Sequence, residues 1–335
     1  MSELHLSRLG CRVGIGAVTA CLTISLTLSR PACAQWSGSI VQADSLFASG
    51  RVSAAESLYY AASSARPRDP AARAALGRYL ASRGALRIGA VLLEEARQFG
   101  GDTASIARSL APIYESLGDY RSLATLPHSP LSGAQQARVR WLVSHPPVLE
   151  FPDSVMRIPY KPLMDGSGLG VITIGVGERA VSAVIDPRLT GVEVRGPLTK
   201  RRREFRAFGD DSSGIVAIVP ELHIGDVTLT NVPAVLNPAA GRKPGRARAE
   251  VALGLDVLRR LAPTFDPAVD TLTLRRSGAV AQNMVGTHMP MVLDDQGLRF
   301  VFDGRWETMS SKDSAKLLTT RRWTLDAKRG LVVLE

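Results

Sequence analysis

Asp186 stands at the end of an apolar run, Ala180-Val181-Ser182-Ala183-Val184-Ile185, and is followed by Pro187 and Arg188. A carboxylate delivered by a buried strand is a candidate general acid or base. The two residues after it supply neither a hydroxyl nor, at Pro187, an N–H. A second acidic pair lies in Gly209-Asp210-Asp211-Ser212-Ser213-Gly214. Two carboxylates could hold a cation, but their spacing matches no calcium loop, and a polar turn is the simpler reading. His128, His145, His223 and His288 show no ligand spacing, so no metal is expected. No phosphate-cradling loop or nucleophile elbow is present, and Gly175-Val176-Gly177 reads as a strand turn. No cofactor is implied.

The chain of 335 residues is 45% hydrophobic, enough for about two domains with real cores. Its three cysteines, Cys11, Cys21 and Cys33, all fall within the first 34 residues. The remainder therefore holds no disulfide scaffold, zinc-thiolate site, iron–sulfur cluster or cysteine nucleophile. Residues 1–34 read as an export signal: a polar start with Arg8 and Arg12, an apolar stretch over 13–29, and Ala32-Cys33-Ala34 before Gln35. Cleavage after Ala34 would leave a periplasmic or secreted protein. A retained anchor and lipidation at Cys21 are the alternatives.

The net charge is +10. Lys200-Arg201-Arg202-Arg203 with Arg206, and Arg242-Lys243 with Arg246 and Arg248, form two basic runs in expected loops. They read as solvated surface, with weak contact to an anionic membrane surface as the functional alternative. Lacking interleaved aromatics, they do not point to nucleic acid.

Gly50, Gly84 and Gly118 recur every 34 residues, and the residues around them keep step: Ala55 with Gly89, Tyr59 with Leu93, Ala62 with Ala96. Small residues let paired helices approach, and large ones fill the groove between pairs. Residues 39–126 resemble tetratricopeptide repeats on this register; a generic alanine-rich bundle is the alternative. Residues 127–150, with Pro127, Pro130, Pro146 and Pro147, read as a linker carrying a short helix.

The period then changes from helix to strand. Val171–Ile174 and Ala180–Ile185 flank a tight turn at 176–178. Leu222–Leu229 and Val232–Leu236 are again strand, turn, strand. Leu253-Gly254-Leu255-Asp256-Val257-Leu258 reads as a glycine entering a short helix, and Thr264-Phe265-Asp266 turns into Leu272-Thr273-Leu274. In this order, residues 151–276 resemble the retropepsin-like aspartic peptidases, particularly bacterial exported ones. The resemblance implies a closed β-barrel, with Gly209, Asp210, Asp211 and Gly214 at a flap tip and Leu253, Gly254 and Asp256 in the lobe's second motif. It also implies a catalytic role for Asp186, one of two aspartates that share a proton and activate water.

The departure from that family falls on the chemistry. Its members carry Asp-Thr-Gly or Asp-Ser-Gly where this chain has Asp186-Pro187-Arg188. Pro187 removes the hydroxyl that ties the two loops, and Arg188 replaces a glycine that permits close backbone approach. A guanidinium beside such an aspartate would oppose proton sharing. Residues 283–335 echo the first lobe: Gly304 precedes Asp313 by nine residues, as Gly177 precedes Asp186. Thr324-Leu325-Asp326 before Val332 and Leu334 repeats the spacing of Thr264-Phe265-Asp266 before Leu272 and Leu274. This segment reads as an abbreviated second lobe or a plain β extension. Asp313, behind Ser310 and Ser311, is a poor second aspartate. The expected fold is thus helical hairpins, then a retropepsin-like barrel, then a small β tail. The expected function is non-catalytic binding of a polypeptide or envelope protein. An active endopeptidase pairing two Asp186 residues in a homodimer and a structural spacer are the alternatives.

Overall fold

The computed structural model describes residues 31–152, 155–163, 169–239, 249–276, 284–294, 297–309 and 311–335, the side chains of 31–37, 202, 294 and 312 excepted. The expected export signal falls outside the described residues apart from its last four, which open the first helix. Among the described residues, no helix is long and apolar enough to cross a membrane. The second basic run also lies outside them. The first occupies two 3-10 turns, Gly196–Lys200 and Arg202–Glu204, rather than an open loop.

Seven helices come first: α1 (Pro31–Ala48), α2 (Val52–Ala65), α3 (Pro70–Ser82), α4 (Leu86–Gln98), α5 (Thr103–Leu117), α6 (Tyr120–Ala124) and α7 (Gly133–Ser144). Asp69, Asp102, Asp119 and Ser132 cap α3, α5, α6 and α7 by accepting backbone N–H bonds. Gly50, Gly84 and Gly118 each end one helix in the left-handed region and let the chain reverse into the next. The crossing of α3 and α4 is close because Gly77 faces Gly89; a Cβ at Gly89 would lie 2.7 Å from the Gly77 carbonyl.

The β region begins with β1 (Val148–Glu150), β2 (Val155–Pro159), β3 (Lys161–Pro162), β4 (Gly170–Val176), β5 (Arg179–Ile185) and β6 (Val192–Arg195). It continues with β7 (Arg206–Asp211), β8 (Gly214–Ile224), β9 (Val227–Asn237), β10 (Val251–Leu253), α8 (Leu255–Leu261), β11 (Thr264–Asp266) and β12 (Thr271–Arg275). Strands β9, β6, β10, β5, β4 and β8 pair in that order, and β8 pairs back to β9, so six strands close into a barrel. The turn between β4 and β5 falls at Gly177, as the alternation predicts. Ala183 and Ile185 of β5 point into the barrel core, while Val184 faces a small outer cluster.

Segment 127–150, expected as a linker, is built into this body. Val139 and Leu142 of α7 are buried, and β1 pairs with β9. Apolar residues on one face of a short helix win over the flanking prolines.

The tail forms β13 (Thr287–Asp294), β14 (Gly297–Phe302), β15 (Arg305–Thr308), α9 (Lys312–Thr320), β16 (Trp323–Asp326) and β17 (Leu331–Leu334). The second sheet runs β15-β14-β13-β17-β16-β11-β12-β2. Around its middle it has an approximate two-fold. Thr264 opposes Thr324 with hydroxyl oxygens 2.7 Å apart. Phe265 opposes Trp323, and Leu325 N–H donates to the Pro263 carbonyl at 3.0 Å. Helix α9 is unexpected from the sequence; Ser311 starts it by accepting from Ser314 N–H.

The helical array and the tail meet through backbone. A Cβ at Gly84 would lie 2.3 Å from the Ala327 carbonyl, and one at Gly50 would lie 2.9 Å from that of Gly304. Arg83 donates to the carbonyls of Met291 and Gly330, and Trp306 Nε1 donates to Phe47. Gly84→Ala is expected to lower the unfolding free energy by about 2–3 kcal/mol, since it adds left-handed strain to a carbonyl clash. Urea denaturation would measure it, with Gly118→Ala as a comparison carrying the strain alone, because nothing lies within 4 Å of a Cβ there.

Candidate functional site

Asp186 leaves the end of β5 with its N–H donating to the Leu253 carbonyl at 3.0 Å, and it is 3% exposed. Both carboxylate oxygens are taken by one neighbour. Arg188 Nε donates to Oδ1 at 2.7 Å, Arg188 Nη2 to Oδ2 at 2.8 Å, and the Arg188 backbone N–H to Oδ1 at 3.1 Å. This is the fork geometry in which a guanidinium holds a carboxylate most firmly. A second guanidinium, that of buried Arg195, stands 3.9 Å from Oδ2 and is itself held by Glu193 at 3.1 Å.

The loop is also covered. Leu298 N–H donates to the Pro187 carbonyl at 3.1 Å, and a Cβ at Gly297 would lie 2.8 Å from that carbonyl and 3.0 Å from the Arg188 Cα. The start of β14 in the tail therefore lies directly on Pro187 and Arg188. Past the loop, the carbonyls of Leu189, Thr190 and Gly191 accept from the N–H groups of Leu255, Asp256 and Gly254 and so cap α8. Gly254 is needed there because a Cβ would lie 2.4 Å from the Gly191 carbonyl.

The structure thus brings Asp186, Pro187, Arg188, Leu253 and Gly254 together. It does not bring the others. Gly209, Asp210, Asp211 and Gly214 form the β7–β8 turn, and this hairpin packs on α7: Phe208 meets Trp141, and the Arg206 guanidinium lies 5.0 Å above the Trp141 ring. Asp313 is in the first turn of α9 and exposed. Among the described residues, no cluster of His, Cys, Asp and Glu could hold a metal.

Asp256 points away from Asp186 to the junction of barrel and helices. It accepts from the Ser116 hydroxyl at 3.3 Å and faces Arg259 at 3.9 Å. Nearby, Arg138 Nη2 pairs with Glu115 at 2.8 Å. Burial pushes Asp256 up to about 6, with the Arg259 charge opposing the rise. The folded protein therefore holds that proton more tightly than the unfolded chain. Its contribution to stability is fully present below the ordinary value of 3.8 and declines as pH rises toward 6. The expected result is a loss of about 2 kcal/mol between those limits, absent in Asp256→Asn, read from denaturation midpoints of both proteins across that range.

Sequence reasoning missed Arg195, Glu193, Arg138, Glu115 and Tyr120. Only the fold places them, and no local spacing marks them. The features together define a helical N-terminal region, a closed six-stranded barrel and further strands, with a blocked carboxylate at the end of a barrel strand. No protein-family model matches the chain, and no curated protein matches it. Among solved structures, a retropepsin-like aspartic protease from Rickettsia conorii is similar to 39% of this chain over 94% of its own length, at 16% identity and a TM-score of 0.27.

Proposed function

We propose that this is an exported retropepsin-like protein without proteolytic activity that binds a polypeptide or an envelope partner. The observation that carries it is the guanidinium of Arg188 on both oxygens of Asp186. A guanidinium that spans both oxygens competes with a shared proton and an attacking water for the same carboxylate. The helices read as tetratricopeptide-like hairpins, supported by the left-handed glycines at the repeat spacing. The tail reads as an abbreviated second lobe, supported by the two-fold around Thr264 and Thr324. In that lobe the chain passes from β15 almost directly into α9, so no strand delivers a second aspartate.

The homodimeric endopeptidase is disfavoured for two reasons. Strand β11 is paired on both sides within the chain, by β12 and β16. The start of β14 covers the Asp186 loop, where a second copy would have to approach.

The full chain, incubated with casein from about pH 3.5 to 7, is expected to cut nothing, as is Asp186→Asn. Fluorescently labelled unfolded casein is expected to bind both proteins alike in an anisotropy titration. Cleavage by the parent that vanishes in Asp186→Asn would overturn the non-catalytic reading. Absence of binding would overturn the polypeptide as ligand.

A further inference from the structure

A cavity of about 300 Å³ lies between the helical array and the barrel, at the lower end of the range for small-molecule sites. Its apolar wall includes Leu189, Val192, Val232, Pro233 and Val257. Three carboxylates border it, and each already has a cationic partner: Glu115 has Arg138, Glu193 has Arg195, and Asp256 has Arg259. Two lining donors are left over. The Tyr120 hydroxyl and Arg138 Nε are buried without a hydrogen-bond partner. Arg260 also lines the cavity; its charge acts on Asp256 and Tyr120, and no hydrogen bond or ion pair within 4 Å holds its guanidinium among the described residues. Burial pushes the Tyr120 hydroxyl up to about 12, with the Arg260 charge offsetting part of the rise, so that hydroxyl keeps its proton and can donate.

Buried donors without acceptors are costly and uncommon in folded proteins. A ligand rich in acceptors would satisfy them. The three wall carboxylates disfavour a dianion such as a phosphate monoester, while a guanidinium fork suits a single carboxylate. The apolar wall calls for an apolar remainder. Arg260 and Pro147 also border a second, more open cavity beside Ser116, Gly118, Pro146 and Leu149.

We infer that this cavity binds a small apolar carboxylate, supplied either as a free acid or as the C-terminus of a peptide. The inference stands whether or not the barrel binds polypeptide elsewhere. The test is calorimetric titration of the full chain with three probes up to about 10 mM: 4-methylpentanoate, N-acetyl-valyl-leucine, and the C-terminal amide of that dipeptide. At least one acid is expected to bind, and if the dipeptide acid binds, its amide is expected to bind at least about tenfold more weakly. Binding of 4-methylpentanoate alone identifies a free acid as the source; binding of the dipeptide acid alone identifies a peptide terminus. Arg260→Gln is expected to weaken the acid that binds by about tenfold or more. Tyr120→Phe is expected to weaken it several-fold with an unchanged thermal midpoint, because that hydroxyl has no partner to lose; it carries the test if Arg260→Gln fails to fold. Failure of both acids to bind, detectable binding of the dipeptide acid matched by its amide, or acid binding untouched by these variants would overturn the inference.

Discussion

Arg188→Met is expected to lower the unfolding free energy by about 3 kcal/mol and to create no proteolysis. The substitution leaves the Asp186 carboxylate buried with the residue 188 backbone N–H at 3.1 Å and the Arg195 guanidinium at 3.9 Å, and no cation in direct contact. Breaking one side of a buried pair strands the other charge, and that costs more than the pair itself contributes. The Arg188 side chain is 33% exposed, so water reaches it and holds the effect at the lower end of the usual range. The double variant Asp186→Asn with Arg188→Met removes both charges and is expected to recover most of the loss. Guanidinium denaturation of the four proteins in this cycle would measure the coupling. A double variant whose loss equals the sum of the two single losses would show that the pair is not coupled in solution.

Trp323→Ala is expected to cost about 4 kcal/mol, the largest effect of a single side chain here. Trp323 is fully buried, stacks on Phe265 with centroids 4.1 Å apart, and donates from Nε1 to the Leu318 carbonyl. It holds the tail to the barrel at the centre of the second sheet. Loss of the indole removes packing from both halves and leaves a void that their backbones cannot close. Calorimetric unfolding would report it, and a transition split into two would show the tail melting ahead of the barrel. A loss under about 1 kcal/mol would place the joint elsewhere.

Local features of the fold were legible because a short stretch of sequence encodes them. The β4–β5 hairpin follows from alternation around Gly177, and α8 follows from Gly254 ahead of Leu255, Val257, Leu258 and Leu261. The repeat glycines were legible from spacing alone. Helix α9 was not: its apolar residues are few, and its start rests on one serine hydroxyl. The placement of the β7–β8 hairpin on α7 was not legible either, because Phe208 and Trp141 meet only through the fold. At the site, Pro187 and Arg188 announced the departure from the peptidase pattern, since both are adjacent to Asp186. Arg195 and the start of β14 did not. The cluster of Glu115, Arg138 and Asp256 is equally silent in the sequence, with Ser116 and Asp256 standing 140 residues apart.

The docking of Gly84 on Ala327 has a consequence for synthesis. The helical array leaves the ribosome first, yet the carbonyls that Arg83 engages belong to residues made much later, Gly330 lying 247 positions further on. Until then its turn edge, with Gly50 and Gly84 bare of side chains, has nothing to rest on. Contacts of such long range slow the final step of folding, because the intervening chain must be ordered before they form. The array is therefore committed early and completed last, and a ribosome that stalls within the barrel would release a helical stack with one raw edge.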